Sequence, residues 1–484
     1  MAHPAMSVTP YWELTFDADG DPDGAARDRL LAQVRQRGVR DLVVFSHGWN
    51  SDRSGATRLY SRFFEPFPEL APRARLGYAG VVWPSMRFSD EPIPDFPRSV
   101  AAETTRRPAL DKDTRHALLE TFPGRATVID QIARLLEQQP GEEAELEEFG
   151  RLVRMLVDVV PPGPQALFAA DTLAEGVPQS EPGMFSGSTA AACEQFAGAL
   201  ARLAARENAG EEGEGRDGGF PDGGVTGGGS SGGGSSGGGS SGGEPSAGRR
   251  LPGAPPSFAV PNPWDGAHEL LRQATYYAMK RRAGTVGERG LGRVVGQLAA
   301  VAPEVRVHLV GHSFGGRLVS FALRGLPEGV RTVKSVTLLQ GAFSHYAFAS
   351  RLPHDPRAGG VLQGQQNRID GPLVCCYSHF DSALGTIYPL ASRMASDAEG
   401  VVAFDIGRTL GAKWGAMGHD GVQAVPGTRA WKLADALRTT LPTSGCVNID
   451  AAAVVHRGGS PSGAHSDIVH RELAQVVVAA GRIG

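Results

Sequence analysis

Gly311-His312-Ser313-Phe314-Gly315 has the G-x-S-x-G spacing, which can lift a serine hydroxyl out of a tight turn and offer it to an acyl carbon. The bare pattern says little in a chain with 65 glycines, and Gly228-Gly229-Ser230-Ser231-Gly232 also matches it. Context separates the two. Residues 305–310 read as a buried strand and residues 315–324 as a helix, so Ser313 falls on a strand-to-helix turn. The small residues at 311 and 315 let the strand and helix approach closely, and the helix amides point toward the serine. A serine that only caps the helix is the plainer reading of the same turn.

Attack by an alkoxide-like oxygen needs two preorganised donors for the charge that develops on the substrate. The amide after the serine, that of Phe314, is one. For the other, His47-Gly48-Trp49 closes the apolar run Leu42-Val43-Val44-Phe45, and the Trp49 amide is the expected donor, with Gly48 allowing close approach. The alternative is an ordinary strand-to-loop turn with His47 packed beneath it.

A carboxylate and a base should sit at the ends of later strands. Residues 373–377 form one such strand, and Ser378-His379-Phe380-Asp381 is its carboxyl end, which makes Asp381 the expected acid. Asp405, after residues 401–404, is the rival, while Asp370 lies at the wrong end of its strand. Among 13 histidines, His465 fits the base best: it follows the Gly/Ser-rich stretch 458–463, after a strand expected over 447–454. His456 falls at that strand's end and His470 inside the helix expected over 466–480. A turn carboxylate and a surface histidine are the bland readings of 381 and 465.

The elements that must position these groups alternate in the α/β manner. A strand near 11–16, a helix over 25–37, the strand 42–45, a helix with Leu59, Phe63, Phe64 and Phe67, and a strand over 76–83 come first. From Pro84 to Pro263 no convincing strand occurs. Three helical segments have apolar faces, marked by Ile129 and Ile132, by Phe149 and Leu152, and by Phe196 and Leu200. Residues 209–257 are mostly Gly, Ser, Pro and acid and read as a flexible linker. Alternation then resumes with helix over 266–300, interrupted near 284–292, followed by the strands at 305–310, 333–339 and 373–377. The expected organisation is therefore a core from 1–83 and 258–484, a mainly helical insertion over 84–208 that could cap the site, and the linker over 209–257.

Composition narrows the function classes. A 484-residue chain with 41% apolar residues can bury a large core, and a formal charge of -4 provides no basic field for nucleic acid. No apolar run reaches the length of a membrane span, and the first residues lack a signal-peptide pattern, so a cytoplasmic protein is expected. Cys193, Cys375, Cys376 and Cys446 show no C-x-x-C spacing and read as buried thiols. No H-E-x-x-H or related spacing suggests a metal.

Phe45-Ser46-His47-Gly48-Trp49-Asn50, Gly311 to Arg317, and Ala464-His465-Ser466-Asp467-Ile468 together resemble the lipase and serine-esterase branch of the α/β-hydrolase superfamily. The resemblance covers the chain outside residues 84–263, and the large insertion departs from a minimal member. It implies a mostly parallel sheet flanked by helices, the chain order Ser…Asp…His, and a cofactor-free serine hydrolase acting on a small-molecule or lipid-like acyl substrate. Acyl transfer on the same fold, or a noncatalytic scaffold that recruits a partner through the insertion, are the competing expectations.

Overall fold

The computed structural model describes residues 6–49, 51–86, 88, 110–157, 164–174, 177–178, 187–214, 262–387, 415–458 and 463–484. Most of the region expected to be a linker lies outside them, as does Asp405.

Eight strands form one parallel sheet: β1 (Tyr11–Thr15), β2 (Asp41–Ser46), β3 (Leu76–Val82), β4 (Arg306–His312), β5 (Val333–Leu339), β6 (Pro372–Tyr377), β7 (Arg429–Lys432) and β8 (Gly445–Asp450). Their spatial order is β1-β3-β2-β4-β5-β6-β8-β7. The central strands are apolar without alternation because both faces are covered. Leu42 and Val44 enter one core and Val43 and Phe45 the other.

The principal helices are α1 (Gly24–Gln36), α2 (Arg53–Phe64), α3 (Lys112–Thr121), α4 (Ala126–Gln138), α5 (Glu143–Val157), α6 (Thr189–Glu214), α7 (Pro263–Thr285), α8 (Gly292–Val301), α9 (Phe314–Gly325) and α10 (Arg471–Gly481). Helices α1, α7, α8 and α9 pack on one face, and α2 and α10 on the other. The insertion helices α4, α5 and α6 join the first core through the apolar positions that their spacing picked out, among them Ile129, Ile132, Phe149, Leu152 and Phe196.

Several expectations are corrected. The insertion does contain strands: Thr172–Ala174 pairs antiparallel with Val177–Pro178 and with Ala358–Gly360 from beyond β5. Pieces this short cannot display a period of two. Helix α6 runs to Glu214, six residues into the stretch read as linker, with Ala209, Glu211, Glu212 and Glu214 as helix formers set against Gly210 and Gly213. The interruption near 284–292 is a π-helical turn, Val286–Leu291, through which α7 continues into α8. Substituting a Cβ at Gly287 or Gly292 would bring it within 2.2 Å of the Leu318 carbonyl or 2.5 Å of the Ala322 carbonyl, so this long helix packs on α9 backbone to backbone.

The edge strand β7 was not expected, since its mostly exposed residues show no apolar signal. Strand β8 ends at Asp450, so His456 lies well past it. Helix α10 begins at Arg471, which makes His470 its N-cap. The loop before it is held by Asp467, which accepts from the amides of His456 and Arg457 and from His470 Nε2.

Candidate active site

The strand register brings the site together. Ser46 lies opposite Gly311, His312 opposite Leu339, Leu339 opposite Cys376, and Tyr377 opposite Asp450. The carboxyl ends of β2, β4, β5, β6 and β8 therefore form one rim, and the loops leaving them are neighbours.

Ser313 occupies the turn between β4 and α9 with φ 54° and ψ -122°, a region that costs a non-glycine residue about 1–3 kcal/mol and persists only where its surroundings enforce it. Here they do. The Ser313 amide donates to Leu339 O at 3.0 Å, and its carbonyl accepts from Gly316 N at 3.0 Å and Ala342 N at 3.3 Å. A Cβ at Gly311 would sit 2.3 Å from Gly315 O, and one at Gly315 would sit 2.0 Å from Ser46 O. Only glycines permit this approach of strand, turn and helix.

His465 Nε2 lies 2.8 Å from Ser313 Oγ, and its Nδ1 lies 2.7 Å from Asp381 Oδ2. The three side chains proposed from sequence are thus in one hydrogen-bonded line, with the Ser313 and Asp381 residues buried and the His465 side chain 15% exposed. Asp381 is completely buried, and both its oxygens are used. Oδ1 accepts from Leu384 N at 3.0 Å, capping the π-helical turn Ala383–Ile387, and Oδ2 accepts from His465 and from Gln340 Nε2 at 3.1 Å. One oxygen of Asp381 serves the turn and the other meets His465 and Gln340. Asp370 instead pairs with Lys334, remote from this rim.

The His465 loop is fastened to the Asp381 loop. Ala464 N donates to Phe380 O at 2.9 Å, and Gly463, at φ 58°, leaves no room for a Cβ beside the same carbonyl. His312, the second residue of the serine motif, presents Nε2 to His465 O at 2.8 Å. That contact makes Nε2 the protonated nitrogen, since a carbonyl only accepts. Burial, and secondly the neighbouring His465, push His312 down to about 3, so its ring is a neutral strut.

Gly48 rests on the serine: a Cβ added there would meet Ser313 Cβ at 2.6 Å. The His47-Gly48-Trp49 segment therefore lies against Ser313 and beside the start of α9, where a Cβ at Gly315 would sit 2.5 Å from His47 O. Among the described residues the amides of Trp49 and Phe314 have no acceptor. His47 is packed beneath, its ring stacked on Trp83 at 5.5 Å, with Nδ1 2.8 Å from Gly48 O. Burial holds it down to about 4, so it too is neutral. The Trp49 ring meets Tyr276 and Phe88, and Tyr276 in turn packs on Phe314 at 4.5 Å, forming an apolar wall beside the serine.

Gln340, Arg317 and His419 carry no role read from the sequence. Gln340, with φ 48° directly after β5, supports the carboxylate; its signal was its place at a strand's carboxyl end. Arg317 has no solvent-exposed side-chain surface and forms an ion pair with Asp171 of the insertion, which also binds Lys280 Nζ at 2.6 Å. It also donates to Phe168 O and Ala170 O at 2.8 and 2.6 Å. The arginine that follows the serine motif thus clamps the insertion to α9. His419 donates to Asp420, which also meets His345 Nδ1 at 3.1 Å.

All four cysteines are buried and unbridged, and burial raises their thiols, that of Cys193 to about 12. Among the described residues no group of His, Cys, Asp and Glu could hold a metal ion, and no helix is long and apolar enough to cross a membrane. No family model, curated protein or solved structure matches the chain. What fold and site define is an α/β protein with a mostly parallel eight-stranded sheet and a Ser-His-Asp line at its carboxyl rim.

Proposed function

We propose that the chain is a serine hydrolase of the α/β-hydrolase fold that cleaves an ester or other acyl bond of a small-molecule or lipid-like substrate. His465 Nε2 takes the Ser313 proton as Oγ attacks the carbonyl. Asp381 holds Nδ1–H in place and favours the imidazolium that forms. The amides of Phe314 and Trp49 hold the oxyanion, each contributing about 3 kcal/mol of transition-state stabilisation. The leaving group takes the proton from His465, and water then resolves the acyl-enzyme by the same steps in reverse order.

The observation that carries this reading is the pair of contacts at 2.8 and 2.7 Å linking Ser313, His465 and Asp381, made by a serine whose backbone is held in a strained turn. The aromatic wall of Trp49, Tyr276 and Phe314 favours an apolar acyl group. A fluorophosphonate probe tests the reading: wild-type protein should be labelled covalently and Ser313→Ala should not. Folded wild-type protein that resists labelling would leave only the scaffold reading.

A further inference from the structure

A cavity of about 360 Å³ lies where the insertion meets α7 and the π-helical turn, and it shares no residue with the Ser313 site. Among the described residues its lining includes four guanidinium groups, Arg125, Arg281, Arg282 and Arg289, against one carboxylate, Asp19. Three of the four come from one continuous helix. Arg281, Arg282, Thr285 and Arg289 are spaced so that they fall within roughly a 100° arc of its surface. Arg289 stands on the π-helical turn itself, a local widening that occurs often at functional sites.

Two of these charges, those of Arg282 and Arg289, are only weakly answered among the described residues. Arg282 donates to two neutral acceptors, Pro84 O at 2.8 Å and Thr121 O at 3.1 Å. Among the described residues neither Arg282 nor Arg289 belongs to an ion pair. Arg289 is exposed and lies over the Phe168 ring at 5.1 Å from its centroid. Burial, and secondly the charge of Arg281, lower Arg282 to about 10, with Asp19 opposing. Phe122, Leu156, Val157 and Phe168 give the cavity an apolar wall, with Thr121 and Thr285 beside it.

We propose that this cavity is a binding site, separate from Ser313, for a small phosphate monoester with an apolar body. The guanidinium fork matches phosphate oxygens in pairs, and a dianion offsets more of the crowded positive charge than a carboxylate does. The apolar walls take the organic part, and the volume falls within the usual range of about 300–1,000 Å³ for small-molecule sites.

Calorimetric titration of the full chain with 1-naphthyl phosphate tests this, with 1-naphthol and 1-naphthoate as comparators. Saturable binding of the phosphate is expected, weaker at high salt, with no binding of the alcohol. Arg289→Gln, at an exposed position, should keep the wild-type unfolding midpoint yet weaken binding at least about tenfold, the loss of one charge-assisted donor group. Ser313→Ala should bind as wild type does, which separates this site from the proposed hydrolytic one. No saturable binding, equal affinity in Arg289→Gln, loss of binding in Ser313→Ala, or naphthoate binding as tightly as the phosphate would each overturn the proposal.

Discussion

Replacing Asp381 by Asn tests the proposed mechanism with almost no change of shape. In the wild type Oδ1 accepts from Leu384 N, and Oδ2 accepts from both His465 Nδ1 and Gln340 Nε2. An asparagine has one acceptor oxygen and one NH₂, so it cannot serve both sides. Keeping the oxygen on Leu384 N turns the NH₂ toward His465, whose Nδ1 must then accept and whose proton moves to Nε2, facing Ser313. The imidazole then cannot remove the serine proton. Gln340 has a remedy: its Oε1, buried and without a partner among the described residues, can rotate to accept the new NH₂. The fold should therefore lose little, an unfolding change of about 1 kcal/mol or less. Turnover should fall about 10⁴-fold, equivalent to roughly 5 kcal/mol of barrier. The assay is the second-order rate of fluorophosphonate labelling and the hydrolysis of p-nitrophenyl esters, alongside thermal unfolding. An Asn variant that is folded and reacts within tenfold of wild type would refute the assigned role of Asp381.

Other outcomes follow from the same geometry. Gly315→Ala places a Cβ 2.0 Å from Ser46 O, backbone against backbone, and should cost about 1–3 kcal/mol or more, read as a lower denaturant midpoint at unchanged slope. Arg317→Met removes the buried guanidinium from Asp171 while the Lys280 pair stays. It should destabilise the protein by roughly 3–5 kcal/mol and expose the insertion to limited proteolysis first; cleavage no faster than wild type would refute the clamp.

Burial lowers His47, His308 and His312 below their unfolded value near 6.5. Between that value and their folded ones the unfolded chain binds more protons, so stability rises with pH and is lost as pH falls. The slope below pH 6 should be about 1.4 kcal/mol per pH unit for each histidine that stays neutral in the fold. Urea titrations at pH 5 and pH 7 measure it, and equal stability at the two would contradict the neutral assignments.

The sequence by itself determined the sheet and the places along it where chemistry can stand. Unbroken apolar runs as short as 42–45 and 373–377, closed by turn residues, suit strands covered on both faces, and parallel strands put their carboxyl ends on one rim. Hence Ser313, Asp381 and His465 could each be located from the loop it occupies, with the paired glycines at 311 and 315 marking the tight turn. Local signals do not report how distant segments meet, and that is where tertiary structure decided. Only the fold shows that Gln340 supports Asp381 and that His312 holds the backbone of His465. It also turns Arg317 from an unassigned residue into the buried clamp on Asp171, and pairs the three-residue strand Thr172–Ala174 with Ala358–Gly360 far along the chain. Such contacts depend on register and burial, which the types of neighbouring residues along the chain do not encode.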